Sequence, residues 1–222
     1  MNASPATSVA FFDVDRTLVR VNTANLYLKW RYRRGETSTL AALRAVGWLI
    51  QYRLGVVDAE RAYELALRPM RGRNEEEFRG ECRQWYQTMV REHITDAARA
   101  DVSACRDAGL VCALLTAGTE YAATPLAEEL GIEHILCTRL EVIDGYFTGA
   151  FERPLCYGQG KVEVASRWVE AHGIALEDCS FYSDSVSDIP MLERVGEPRV
   201  INPDPRLTLR ARSEGWPVAY WR

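Results

Sequence analysis

Histidine is scarce in this 222-residue chain: His93, His134 and His172 are the only three, and none has a ligand-type neighbour at helical spacing. That argues against a zinc site. The six cysteines, Cys82, Cys105, Cys112, Cys137, Cys156 and Cys179, include no C-x-x-C pair and mostly lie in apolar runs. They read as buried free thiols of a reducing compartment. The longest apolar stretch, Leu40 to Ile50, is broken by Arg44. It falls well short of the roughly 20 residues that cross a bilayer, so no membrane span is expected. The first residues lack the charged start and apolar run of a secretory signal, and the expected location is cytoplasmic. A net charge of −4 argues mildly against a general nucleic-acid binder. What remains is an ordinary globular composition, 47% hydrophobic and 26% charged, in a chain long enough for a substantial core.

The pattern along the chain divides it in two. Val9 to Phe12 reads as a buried strand that runs into Asp13-Val14-Asp15. From Val21 to Glu92 no strand is expected. Four segments there, beginning near Thr23, Thr39, Asp58 and Asn74, carry apolar residues at three- and four-residue spacing, as amphipathic helices do. Thr23, Thr37 or Ser38, Asp58 and Asn74 stand at N-cap positions, and Gly35, Gly55 and Gly72 mark breaks. From Ile94 onward strands and helices alternate. A helix over Asp96 to Asp107 ends at Gly109, and Leu110 to Leu115 is a strand followed by the turn Thr116-Ala117-Gly118. A helix then covers Glu120 to Leu130, and Ile135 to Phe151 reads as a hairpin turning at Asp144-Gly145. A helix runs from Lys161 to Ala171, a strand covers Cys179 to Ser183, and a helix follows at Pro190 to Val195. Arg199 to Ile201 is a strand, Pro205 to Ser213 a helix, and Trp216 to Trp221 a last strand.

Such alternation predicts an α/β fold: a doubly wound parallel-sheet core, residues 1–20 and 94–222, with an inserted helical cap, residues 21–93. Residues 21–92 hold 13 basic and 9 acidic side chains, a surplus of +4, against −8 on the rest. A basic insert over an acidic body fits a lid that attracts an anion, and it equally fits solvated helix faces.

Ligands of doubly wound sheets gather at the carboxyl ends of the strands. Asp13 and Asp15, two apart, face one way if the chain stays extended, and two such anions need a cation or a shared proton. Mg²⁺, which favours carboxylate oxygens and water, is the natural partner. Thr116, Ala117 and Gly118 form a hydroxyl-and-amide nest suited to phosphate, although Thr116 alone also fits a plain N-cap. Lys161 opens a helix, where the dipole disfavours a cation, so it is expected to meet an anion; alone, it also fits a solvated lysine. Asp184 leaves its strand as Asp13 does and is a candidate metal ligand, whereas Asp188 before Pro190 looks like an N-cap.

In chain order, DVDRT, LLTAG, the lysine of GQGKVEVA and YSDSVSDIPML resemble the haloacid dehalogenase superfamily, in its phosphoserine-phosphatase-like branch (subfamily IB). The tail INPDPRLTLRARSEGWPV is similar too, so the likeness covers nearly the whole chain. It implies an Mg²⁺-dependent phosphomonoesterase that acts on a small phosphorylated metabolite. Asp13 would be the nucleophile, forming an aspartyl-phosphate, and Asp15 the general acid and base. Asp13, the carbonyl of Asp15 and Asp184 would hold Mg²⁺. Thr116, the N–H of Ala117 and Lys161 would grip the phosphoryl oxygens, and Asp188 would orient Lys161 or a metal-bound water.

Three positions depart from the family pattern. Arg16 replaces a usual glycine, though relatives with serine suggest that the backbone does not strictly demand glycine. Ser187 replaces a common asparagine, which weakens order around the metal ligands. Asn22 falls near the glutamate that holds the amine of phosphoserine, and a neutral amide pairs poorly with an ammonium. Other phosphomonoesters, such as histidinol phosphate or a lipid phosphate, then enter as substrates. The helix around Trp48 fits a greasy ligand or internal packing of the cap. The same groups would also serve a phosphotransferase to an acceptor alcohol, a non-hydrolytic phosphoacceptor module, or a binding protein that has lost catalysis.

Overall fold

The computed structural model describes residues 8–35 and 58–221. The helix expected from Thr39 to Leu54, the caps at Thr37 or Ser38, Gly55 and Trp48 lie outside these residues.

Strand β1 (Val9–Phe12) has all four side chains fully inaccessible. Successive strand residues point to opposite faces, so complete burial requires cover on both. Val9 and Phe11 pack in one apolar layer, and Ala10 and Phe12 in another. Along the chain follow helices α1 (Thr23–Arg33), α2 (Ala59–Leu67), α3 (Glu75–Trp85) and α4 (Asp96–Asp107). Then come β2 (Val111–Thr119), α5 (Glu120–Leu130), β3 (His134–Thr138), β4 (Leu140–Ile143) and β5 (Tyr146–Phe151). The chain continues with α6 (Gln159–Ala171), β6 (Ser180–Ser183), α7 (Ile189–Leu192) and β7 (Glu197–Ile201). It closes with α8 (Pro205–Glu214) and β8 (Val218–Ala219).

Six strands form one parallel sheet in the order β3-β2-β1-β6-β7-β8. Residues of α4 and α5, among them Val102, Leu126 and Leu130, cover the Phe12 face. Residues of α6, α7 and α8, among them Val162, Met191 and Leu207, cover the Phe11 face. From β1 the chain winds outward through β2 and β3, then crosses to β6 and winds the other way. The reversal falls between β1 and β6, where a doubly wound sheet opens a crevice at its carboxyl edge. The main-chain N–H of Asp13 donates to the Tyr182 carbonyl at 2.9 Å, so the β1–β6 ladder continues up to the first aspartate.

The inserted helices leave and rejoin the core at one point. Val19 bridges Ile94, and the N–H of Arg20 donates to the His93 carbonyl at 2.9 Å. On the core, Tyr121 of α5 and Phe147 of β5 meet Phe78 of α3, with the three ring centroids 5.3 Å apart pairwise and edge-to-face. Around them the insert's arginines pair with carboxylates: Arg73 with Glu81, Arg79 with Glu75, Arg83 with Glu128 and Arg91 with Glu129.

The helices over Asp96–Asp107 and Glu120–Leu130 stand where the periodicity puts them. Thr116-Ala117-Gly118 differs. Instead of a turn it is the end of β2, which runs on to pair Thr119 with Thr138 across a register shift. The segment read as one hairpin divides as well: His134–Thr138 joins the main sheet, and only β4 and β5 pair with each other. Their turn is Asp144-Gly145, with φ of 50° and 78°, as a tight hairpin demands. At the start of α1 the cap is Asn22, not Thr23, since the Asn22 side chain accepts from the N–H of Asn25. The six cysteines are free and buried, and burial pushes the thiols of Cys82, Cys137 and Cys156 up to about 12.

Arg16 has φ of 56°, in the left-handed region, with its N–H on the Val21 carbonyl. A residue with a side chain therefore does fit here, as expected, but the tight return from Asp15 holds it where Cβ is disfavoured. Arg16→Gly is expected to stabilise the fold by about 0.5–1 kcal/mol in urea denaturation, relief of strain outweighing the chain entropy of glycine. A loss of stability would mean that the arginine side chain makes a favourable contact larger than the strain. Phe147→Ala should cost about 3–5 kcal/mol, because it empties the centre of the three-ring cluster. A change under about 1 kcal/mol would show that the insert does not depend on that packing.

Candidate active site

Val9, Phe11 and Asp13 alternate onto the same side of the sheet, the side covered by α6. Lys161 lies in the first turn of α6 and is 2% exposed. Its Nζ donates to Asp13 Oδ1 at 2.7 Å and to Asp188 Oδ2 at 2.8 Å, and stands 5.3 Å from the centre of the Phe181 ring. Burial works against the ammonium, but the two carboxylates outweigh it and hold its pKa above the ordinary lysine value. The preceding turn places this residue. At Gly160 a Cβ would sit 1.9 Å from the Leu155 carbonyl oxygen, so only glycine lets α6 begin this close to the 155–158 segment.

Asp188 is at the N-cap position of α7 but makes no capping hydrogen bond. The side chain turns inward instead. Oδ2 accepts from Lys161 and, at 2.6 Å, from the Ser183 hydroxyl, while Oδ1 is buried with no partner among the described residues. Asp184, at the end of β6, is 5% exposed, and its carboxylate receives no hydrogen bond from the described residues. Burial, then the charges of Asp13 and Asp188, raise its pKa to about 8. Asp13 is raised to about 7, chiefly by burial and further by Asp188, against the pull of Lys161.

Asp15 is held differently. One oxygen accepts from the Thr23 N–H at 2.9 Å and the Thr23 hydroxyl at 2.6 Å, and the other from Asn22 Nδ2 at 2.7 Å. Burial raises its pKa, while the Thr23 donors oppose the rise. Asn22 thus ties Asp15 to the start of α1 with one end of its amide and caps that helix with the other. Arg16 is exposed, and its charge lowers the pKa of both Asp15 and Asp184.

At the end of β2, Thr116 is buried, and its oxygen accepts from the N–H of Gly118 at 3.1 Å, which leaves the hydroxyl proton free to donate. The Ala117 carbonyl is turned away, held by the Thr138 hydroxyl at 3.1 Å and the Tyr63 hydroxyl at 3.3 Å. Ser187 shares a hydroxyl hydrogen bond of 2.9 Å with Ser185, within the turn before α7. Ser183, Thr138 and Tyr63 were not singled out from the sequence, and Thr23 was read only as a helix cap. Hydroxyl residues carry no motif of their own, and each acts across 5 to 54 residues of chain.

Four aspartates, Asp13, Asp15, Asp184 and Asp188, therefore share one region with a single buried ammonium. The surplus negative charge, the raised pKa values of Asp13 and Asp184 and the unpartnered oxygen of Asp188 all suit a bound divalent cation. Among the described residues no three acidic, histidine or cysteine side chains close into a full cage. An all-oxygen donor set of this kind suits a hard divalent cation that keeps much of its hydration.

A family model for haloacid dehalogenase-like hydrolases matches residues 10–193. A Mycobacterium tuberculosis protein named phosphoserine phosphatase is 32% identical over 225 residues, covering 97% of this chain and 71% of that protein. A histidinol-phosphatase from Neisseria meningitidis serogroup C is 27% identical over 216 residues, covering 95% of this chain and 97% of that one. A crystal structure of a Bordetella pertussis Tohama I protein of unknown function superposes with a TM-score of 0.89 at 31% identity, covering 96% of this chain and 98% of that chain. With the matched region spanning both acidic loops and the lysine between them, the chain belongs to the haloacid dehalogenase-like hydrolase family.

Proposed function

We propose that the protein is an Mg²⁺-dependent phosphomonoesterase that hydrolyses a small phosphorylated metabolite through an aspartyl-phosphate on Asp13. The observation that carries this reading is the contact of Lys161 with both Asp13 and Asp188, in a crevice that also holds Asp184. It joins the residue read as nucleophile, a cation and metal-type carboxylates from three chain segments.

Asp13 attacks phosphorus in line, and the bond to the leaving oxygen breaks as the acyl-phosphate forms. Asp15 gives a proton to the departing alkoxide, and its raised pKa favours the protonated form that this step needs. It then takes a proton from the water that attacks phosphorus, which releases phosphate and regenerates Asp13. Lys161, the hydroxyl of Thr116 and the N–H of Ala117 bind the phosphoryl oxygens as charge builds on them. Asp188, with Ser183 behind it, fixes the direction of Lys161. Asp13, the carbonyl of Asp15 and Asp184 would hold Mg²⁺, which supplies neutralising charge to the phosphoryl group and the carboxylates when bound.

The engagement of Asn22 with Asp15 and the α1 cap bears on the substrate. Its amide is occupied at both ends and carries no negative charge. An amine such as that of free phosphoserine finds no counter-charge there, so the preferred substrate is a phosphomonoester recognised by other means. The relatives named phosphoserine phosphatase and histidinol-phosphatase set the chemical range: small, polar metabolites esterified to phosphate.

The test is phosphate release with Mg²⁺ from p-nitrophenyl phosphate, phosphoserine, histidinol phosphate and a lysophosphatidate. Turnover of at least one, with phosphoserine not the best, is expected; no turnover of any would overturn the reading. Adding acceptor alcohols should leave inorganic phosphate as the product, and a phosphorylated alcohol would make the protein a transferase. Asp13→Asn should lower turnover by about 10³-fold or more while leaving the circular dichroism spectrum intact. Near wild-type activity would exclude Asp13 as nucleophile. Excess chelator should silence the enzyme and Mg²⁺ restore it; activity persisting in chelator would exclude the metal.

A further inference from the structure

The turn after β7 reaches both acidic loops, although it contains none of the groups assigned to the reaction. Asn202, itself left-handed at φ 46°, donates from Nδ2 to the Arg16 carbonyl at 2.9 Å. Its Oδ1 accepts from the Trp221 N–H at 2.9 Å. Two residues on, the N–H of Asp204 donates to the Asp184 carbonyl at 2.9 Å, and Asp204 Oδ2 accepts from the Val186 N–H at 2.7 Å. Oδ1 of the same carboxylate caps α8, accepting from the N–H groups of Arg206 and Leu207 at 2.8 Å each. One side chain thus joins the start of a ten-residue helix to the loop that carries Asp184.

Both Asp204 oxygens are taken by main-chain N–H groups, so neither is directed at the site. The carboxylate form is what makes the double engagement work. An amide has one acceptor oxygen; placed on the helix cap, it turns an NH₂ group toward the N–H of Val186, donor against donor. The rest of the loop is fixed locally: the N–H of Ser185 donates to the Ser183 hydroxyl and the N–H of Asp188 to the Ser185 carbonyl. The Asp184 carbonyl and the Val186 N–H are held from outside the loop by Asp204. The Asp184 carboxylate receives no hydrogen bond from the described residues, so its aim depends on the main chain that bears it.

We propose that Asp204 is a positioning residue for the divalent-cation site, clamping the Asp184 loop from the N-terminus of α8 and so setting cation affinity without touching the cation. This rests on the reading of Asp184 as a ligand.

The experiment is Mn²⁺ binding to the purified, metal-stripped protein, followed by the electron paramagnetic resonance signal of free Mn²⁺. It compares wild type, Asp204→Asn, Asp204→Ser, Asp184→Asn and Thr95→Ala. Serine still caps α8 but lacks the second oxygen, so it removes the side-chain hold on the Val186 N–H while sparing the helix. Thr95→Ala removes an ordinary cap, that of α4, and controls for general loosening. Circular dichroism confirms that each variant is folded. Asp204→Asn and Asp204→Ser should each bind Mn²⁺ about tenfold more weakly than wild type, with Thr95→Ala unchanged. Wild-type affinity in both Asp204 variants would overturn the proposal, as would an equal loss in Thr95→Ala. Wild-type affinity in Asp184→Asn, or no binding by wild type, would instead overturn the reading of Asp184 and the clamp with it.

Discussion

A lysine ammonium buried between two aspartates is the constraint on which the rest of this structure turns. Removing Lys161, Asp13 and Asp188 from water is costly, and attraction among them recovers that cost only with good geometry and further hydrogen bonds. The geometry is good, at 2.7 and 2.8 Å, and Ser183 adds a third donor to Asp188. Yet the balance is incomplete. Asp184 adds another buried carboxylate with no donor among the described residues, and one oxygen of Asp188 stays unpartnered. A protein built for stability alone gains more from apolar residues in these positions. The excess of negative charge suits a divalent cation, as the proposed function requires.

The topology explains how such a site can exist beside a dry core. Parallel strands end at one edge, and the reversal of winding between β1 and β6 opens that edge. Each strand end then supplies a different group: Asp13 from β1, Thr116 from β2 and Asp184 from β6, with Lys161 arriving on α6. The same alternation that buries Phe11 turns Asp13 toward that helix. The insert takes part as well. Its first helix begins at the residues that hold Asp15, and Tyr63 on α2 reaches the Ala117 carbonyl. Asp15 and the end of β2 are thus both held by helices that lie between β1 and β2 in the chain.

Much of this was legible in the residues. The strand into Asp13-Val14-Asp15, the alternation after Ile94 and the four ordered motifs suffice for the fold class and the main groups, because each depends on local pattern. Where the reading differed from the structure, a distant partner decides. β2 continues through Thr119 because β3 is there to pair with it. Asp188 looks like a cap beside Pro190, but a lysine 27 residues earlier claims its carboxylate. The roles of Thr138, Tyr63 and Asn202, and the second role of Asp204 beyond its helix cap, are invisible to local pattern, since those partners lie 18 to 186 residues away. A hydroxyl or amide that acts through a main-chain group leaves no spacing to recognise.

The most direct test of the account is to stop turnover with acid and map the phosphorylated residue by mass spectrometry after incubation with Mg²⁺ and p-nitrophenyl phosphate. The account predicts a phosphoryl group on the peptide that contains Asp13, labile to hydroxylamine and missing from Asp13→Asn. A phosphoryl group on any other residue, or steady hydrolysis with no label on Asp13 under quench conditions that preserve acyl-phosphates, would contradict it.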